Sequence, residues 1–300
     1  VLSRIFRQCF RWVSGRLSGA LKYAIHSQGT AEQKEFMARM KIASFNVNSL
    51  KARLGNLRDW LKQADPDVVC LQETKCTDES FPRGEIEDLG YNLAIHGQKT
   101  YNGVAILSKH PLDDVTCGLP EGDGDDHARY IEAVIPAGRT VLRVASIYLP
   151  NGNPVGTDKF SYKLAWMDRL IGHAKHLLTY EEPLVLAGDY NVIPAPGDVY
   201  DPKAWEGDAL FRPESRAKFR ELINLGLTDA FRACHAEPHR YTFWDYQAGA
   251  WPKDHGLRID HLLLSPQAAD RLKGCDIDRD VRGREKPSDH VPIWAELDFS

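Results

Sequence analysis

The sequence predicts an α/β protein whose sheets mix parallel and antiparallel strands. Two observations carry this. Short apolar runs of strand length alternate with amphipathic segments of helical period. Some neighbouring runs are separated only by turns and others by a helix, a combination that a purely doubly wound sheet does not show. A third observation bounds the unit: no Gly/Ser-rich or Pro-rich linker divides residues 40–300, which are read as one domain.

KIASFNV (41–47) is the first strand. Leu54, Leu57, Trp60 and Leu61 then mark one face of a helix that ends at Asp65-Pro66, because the residue before a proline is disfavoured in the helical region. DVVCLQ (67–72) is the second strand, followed by NGVAILSK (102–109), the alternating RYIEAVI (129–135) and TVLRVASIYL (140–149). Phe160, Leu164, Met167, Ile171, Ala174 and Leu178 recur at helical spacing and predict a long helix with one buried stripe. LVLAG (184–188) is a buried strand, and Phe219, Leu222 and Ile223 mark another helix. IDHLLLS (259–265) and HVPIWAEL (290–297) close the chain as strands. IASFNVNSL (42–50) and LVLAGDYNVIP (184–194) echo each other, each an apolar strand ending in Asn/Asp-x-Asn, which points to two similar halves.

Hydrophobic content of 43% and charged content of 27% over 300 residues are those of an ordinary globular protein. No apolar run approaches the ~18 residues of a membrane span. Cys9, Cys70, Cys76, Cys117, Cys234 and Cys275 are scattered with no C-x-x-C pair, so neither a zinc site nor a disulfide framework is expected. They read as reduced thiols of a cytoplasmic protein. Residues 1–39 carry a net charge of +5 and have no acidic residue before position 29, leaving −9 for residues 40–300. The expectation is a disordered, non-essential extension or a mis-set start ahead of Met40; a targeting segment and a surface helix are the alternatives. A body of −9 argues against coating nucleic acid by charge alone, but it allows an acidic site for a cation. EGDGDD (121–126) reads as a solvated loop.

Polar residues recur where apolar strands end, and such positions commonly display function. They are Asn46 and Asn48, Gln72 and Glu73, Tyr148 and Asn151, Asp189 and Asn191, Asp260, and Asp289 with His290. Each alone also reads as structure: a turn residue, a surface carboxylate, a core tyrosine, a salt bridge, a satisfied histidine. Several carboxylates converging from separate strands would repel unless a cation neutralised them. With oxygen donors dominant and no cysteine cluster, that cation is Mg²⁺ or Mn²⁺ and not Zn²⁺. Such a set suits phosphoester cleavage. No Walker-type motif and no Gly-x-Ser-x-Gly elbow is present.

SFNVNSL, LQETK, HGQKTYNGVAILSK, YLPNG, GDYNVIP, YTFWDY, GLRIDHLL and EKPSDHVPIW, in this order, resemble the exonuclease III and AP endonuclease branch of the endonuclease/exonuclease/phosphatase superfamily. The resemblance runs from about Met40 to Phe299 and implies a four-layer α/β sandwich of two facing mixed sheets with helices outside. It implies Glu73 as principal Mg²⁺ ligand, supported by Asn46, with Asp189, Asn191, Asp289 and His290 in the metal environment. Asp189 would orient or deprotonate the attacking water or protonate the leaving group. Asn191 and Tyr148 would hold the phosphate, and His290, oriented by Asp260, would contact a non-bridging oxygen. Lys75, Lys99, Asn102, Arg129, Asn151 and Lys286 are candidate DNA contacts, and Phe243, Trp244, Leu257 and Ile259 a candidate pocket for a flipped-out abasic sugar. Asn151 stands where the family often has another polar residue, so the balance of endonuclease to exonuclease action stays open. The expected activity is Mg²⁺-dependent cleavage 5′ to abasic sites in double-stranded DNA, with 3′→5′ exonuclease action and cleaning of blocked 3′ ends, in base excision repair. Mn²⁺ is expected to substitute. The protein is expected to be a monomer with no membrane partner, nucleoid-associated when acting. Action on other phosphoesters, or a catalytically silent DNA-binding module, are the alternatives.

Overall fold

The computed structural model describes residues 39–300 except Asp123, so the reading of residues 1–39 as an extension lies outside the described residues save for Arg39, which opens the first strand. In chain order the elements are β1 (Arg39–Asn46), α1 (Leu50–Ala64), β2 (Val68–Gln72), α2 (Arg83–Glu87), β3 (Asn92–His96), β4 (Val104–Ser108), β5 (Asp113–Cys117), β6 (Tyr130–Ala137) and β7 (Thr140–Tyr148). Then come α3 (Asp158–Leu178), β8 (Leu184–Asp189), α4 (Pro213–Ile223), β9 (Thr228–Asp229), α5 (Ala230–Cys234), β10 (Asp260–Leu264), α6 (Pro266–Ala269), β11 (Leu272–Ile277) and β12 (Ile293–Asp298).

The strands form two mixed six-stranded sheets, ordered β11-β12-β1-β2-β4-β3 and β5-β6-β7-β8-β10-β9. Each has one parallel pair near its centre, β1 with β2 and β7 with β8, flanked by antiparallel strands. The sheets face each other, β1 against β8 and β2 against β7. The echo between residues 42–50 and 184–194 thus falls on equivalent strands, β1 and β8. Alternation along β8 shows how the layers are fed. Val185 and Ala187 enter the core between the sheets, while Leu184 and Leu186 pack outward on α3 and α4. Asp189 continues the inward series. Gly188 lies where β7 presses close, and a Cβ there would come within 2.0 Å of the Ile147 carbonyl oxygen. On the other outer face α1 buries Leu57, Trp60 and Leu61, with Trp60 edge-on to Phe45. Among the described residues no helix is long and apolar enough to cross a membrane, and the five cysteines are unpaired.

Three expectations are corrected. The buried line of α3 runs through Lys163, Trp166, Met167, Leu170, Ala174 and Leu177, so it is rotated from the apolar stripe, which lacks the buried lysine. Asp125, within the stretch read as a solvated loop, is tied down by Arg169 at 2.8 Å and Tyr162 at 3.0 Å. The last strand begins at Ile293 and not at His290, because Pro292 has no N–H to give a ladder.

A buried ion cluster fixes the approach to β10. Arg258, 1% exposed, reaches Asp198 at 2.8 Å and Asp229 at 2.8 Å, and Arg232 also bonds Asp198. Burial raises both aspartate pKa values, but Arg258 together with Arg232 at Asp198, and with His261 at Asp229, outweighs it and holds them below the ordinary range. Arg258→Leu would leave the buried Asp229 without its arginine and Asp198 with Arg232 alone, and is expected to destabilise the fold by about 3–5 kcal/mol. In the wild type, carboxylates with depressed folded pKa values contribute stability above their unfolded value of about 3.9, which is lost as pH falls through the folded values. Urea titrations at neutral pH and below about pH 4 should show the difference between wild type and variant narrowing in acid.

Candidate active site

One end of the sandwich gathers side chains from both sheets. Asn46 ends β1 on its inward face, beside Gln72 of β2. Glu73 follows at once in a left-handed conformation, φ 51°, which turns the chain as the ladder stops. Asp189 ends β8, in register with Tyr148 on one side and Asp260 on the other. The Asn46 Nδ2 group bridges the sheets, donating to Glu73 Oε1 at 2.9 Å and to Asp189 Oδ2 at 3.0 Å. Its Oδ1 accepts the Asn48 N–H at 3.0 Å. Lys75 Nζ lies 2.8 Å from Glu73 Oε2 and donates to Asn48 Oδ1 at 2.6 Å.

His290 sits between two aspartates. Its Nδ1 is 2.9 Å from Asp260 Oδ2, and its Nε2 is 3.7 Å from Asp189 Oδ2. Thr242 Oγ1 fixes the base of this group by accepting the N–H groups of Ile259 and Asp260, each at 3.2 Å. Burial disfavours charge on the imidazole, but the carboxylates of Asp260 and Asp189 prevail and raise its pKa, so it is an imidazolium at neutral pH. Burial also raises the pKa of Asp189, with His290 opposing. At Glu73 burial is outweighed by Lys75 and Asn46, and the pKa falls. The Tyr148 hydroxyl is pushed well up by burial and then by the charges of Glu73 and Asp189, so it stays a donor.

Glu73, Asp189 and His290 each offer one atom, all within 4.8 Å of one another. The two carboxylates make a hard, oxygen-donor pair that fits a divalent cation, and the protonated His290 stands beside that pair without ligating it. Asn46 serves this set through its NH₂ group, as a bridge between the carboxylates. Asp289 is not among these three groups, and Asn191 adjoins them through its backbone. Asn191 donates to the Leu149 carbonyl at 3.0 Å and accepts from Asn151 at 3.2 Å, while its own N–H bonds Asp189 Oδ1 at 2.9 Å. Asp289 Oδ1 accepts from Asn48 at 3.0 Å.

The proposed DNA contacts divide. Lys99 and Lys286 are exposed. Arg129 is half-buried over the Tyr148 ring, 4.8 Å from its centroid. Lys75 is instead the counter-ion of Glu73, and Asn102 is buried and turned to Gln98 at 2.7 Å. Of the pocket residues, Trp244 is wholly buried, its indole donating to Asp254 at 2.9 Å, and has no face for a ligand. Leu257 and Ile259 are buried in a small cluster with Ile193, Val199, Leu210 and Phe211. Phe243 alone borders the site, edge-on to His290 at 5.0 Å. Sequence reasoning missed Ser288, whose hydroxyl donates to the Asn46 carbonyl at 2.8 Å and accepts from His290 N–H at 3.2 Å. It also missed Lys163, which no apolar period marks.

The model of the endonuclease/exonuclease/phosphatase family matches residues 43–290. An exodeoxyribonuclease III of Haemophilus influenzae is 36% identical over 266 residues, covering 86% of this chain and all of the relative. A solved AP endonuclease from Archaeoglobus fulgidus superposes with a TM-score of 0.82 at 37% identity, covering 86% of this chain and 99% of that one. A Neisseria 3′ phosphatase, solved bound to a product DNA hairpin, gives 0.82 at 39% identity with the same coverage. The chain belongs to the endonuclease/exonuclease/phosphatase family, as an enzyme of its exonuclease III and AP endonuclease branch.

Proposed function

We propose that this enzyme is a Mg²⁺-dependent DNA repair phosphodiesterase that cuts double-stranded DNA 5′ to an abasic site and leaves a 3′-hydroxyl. On the same reading it trims 3′ ends, both as a 3′→5′ exonuclease and by removing blocking groups, in base excision repair. The observation that carries the reading is the joining of Glu73 and Asp189 through one Asn46 amide, with the His290 imidazolium facing Asp189. The relatives named for AP endonuclease, exodeoxyribonuclease III and 3′ phosphatase activity support it.

Glu73 and Asp189 would hold the ion, which when bound stabilises charge on the leaving 3′ oxygen. Asp189, its Oδ1 fixed by the Asn191 N–H, takes the proton of the attacking water or returns one to the leaving oxygen. The His290 imidazolium, held by Asp260, donates to a non-bridging oxygen, and Tyr148 and Asn191 donate to the same phosphate. Lys99 and Lys286 contact the DNA backbone. Residues 40–300 form the catalytic domain, acting as a monomer in the cytoplasm.

An abasic-site duplex incubated with the full chain should be nicked with Mg²⁺ or Mn²⁺, should stay intact with EDTA, and should be cut equally well by residues 40–300. A phosphoinositide offered alongside should be untouched. Metal-independent nicking, or preferential turnover of the phosphoinositide, would sink the reading.

A further inference from the structure

The mechanism above gives no part to Lys163, yet few side chains in the molecule are placed more unusually. It lies on α3, fully buried, on the face turned to the core. A leucine or methionine would suit that position by packing alone. Among the described residues no carboxylate lies within 4 Å of the ammonium. Its three protons go to backbone carbonyl oxygens: Asn191 at 2.6 Å, Pro150 at 3.2 Å and Asn151 at 3.2 Å. An ammonium has three donors, and here three acceptors meet them. The stem is enclosed as well. Gly152 passes over it with φ 87°, and a Cβ there would lie 2.6 Å from Lys163 Cδ.

The three carbonyls belong to the segments that leave β7 and β8, the parallel pair that delivers Tyr148 and Asp189. Asn191 is held from both sides of its own backbone, its N–H by Asp189 and its C=O by Lys163. It sits in a left-handed conformation, φ 47°, that asparagine tolerates but does not prefer. The Asn151 side chain, anchored through its own carbonyl to the same ammonium, then bonds Asn191 Oδ1. One buried lysine amine therefore sets the position of both amides.

We infer that Lys163 is a positioning residue: its ammonium clamps the exits of β7 and β8 so that the Asn191 amide faces the scissile phosphodiester. This rests on the reading of Asn191 as a phosphate donor. Lys163→Met keeps the stem and removes the donors. It is expected to lower kcat on the abasic duplex by about 10–100-fold while KM stays within about threefold, because a displaced positioning group weakens the transition state more than binding. Lys163→Arg, which restores donors, should recover part of the loss. In an Asn191→Ala background Lys163→Met should cost less than about threefold, since the group it orients is gone. An unchanged kcat, or the same loss in both backgrounds, overturns the inference. If Lys163→Met does not fold, Lys163→Gln enters the same cycle. Failure of the wild type to nick abasic DNA would fault the functional reading alone. The side-chain amide NMR signals of Asn151 and Asn191 still decide the clamp without substrate, because signals unmoved by Lys163→Met would overturn it.

Discussion

Asp189→Asn is expected to lower the single-turnover rate on an abasic duplex by on the order of 10³-fold, within the range that a positioned proton-transfer group supplies. The carboxylate accepts from Asn46 through Oδ2 and from Asn191 through Oδ1. Both partners are donors, so an amide satisfies one and turns its own NH₂ toward the other. On the proposed mechanism the proton acceptor is lost, and its hydrogen-bonded mount is disturbed. Stability should move the other way. Burial first, and then the like charges of Asp260, its cross-strand neighbour, and Glu73, disfavour the ionised form of Asp189 against the opposing pull of His290. Removing the charge should leave Tm unchanged or raised, the trade expected of a site strained for function. A variant within tenfold of the wild-type rate would mean that Asp189 does not carry the proton.

His290→Asn should cost a similar factor, on the order of 10²–10³, because an aimed cationic donor is removed from the phosphate, but with the opposite effect on stability. The imidazolium is the cation between two buried carboxylates, Asp260 at 2.9 Å and Asp189 at 3.7 Å. Without it they face each other across β8 and β10 uncompensated, and Tm should fall. The sign with pH follows. Burial lowers the His290 pKa, but Asp260 and Asp189 raise it to about 10, above an unfolded value of about 6.5. Its contribution is complete below the unfolded value and lost as pH rises through the folded one. The Tm deficit of His290→Asn should therefore be widest at about pH 6.5 and just below, and narrow as pH rises toward the folded value. Adding Asp189→Asn to His290→Asn should restore Tm but not activity. A His290→Asn protein with wild-type Tm would show that the ion pair contributes nothing net.

The strands read from the sequence are the central ones of both sheets, and those missed, β3, β5, β9 and β11, are the four edges. A central strand is covered on both faces and leaves a continuous apolar run, whereas an edge strand is short and polar. DDVTC of β5 is mostly exposed, and β11 carries a glycine at its register shift. The site residues were legible because strand ends put Asp/Asn-x-Asn on one face, and the motif series tied them together. Trp244 and Asn102 were misplaced because a motif names a residue without saying which way its side chain turns. Lys163 was invisible because its purpose lies in backbone carbonyls, which no sequence pattern displays. Ser288 was likewise hidden, since a lone serine has no period.

Asn46 and Glu73 come from one sheet and Tyr148, Asp189 and Asp260 from the other. Neither half owns a cation site or a proton acceptor beside one. Glu73 and Asp189 meet across one Asn46 amide only because the two sheets pack face to face. The candidate cation site is therefore a product of tertiary closure, assembled at the seam of the sandwich and not carried by either sheet.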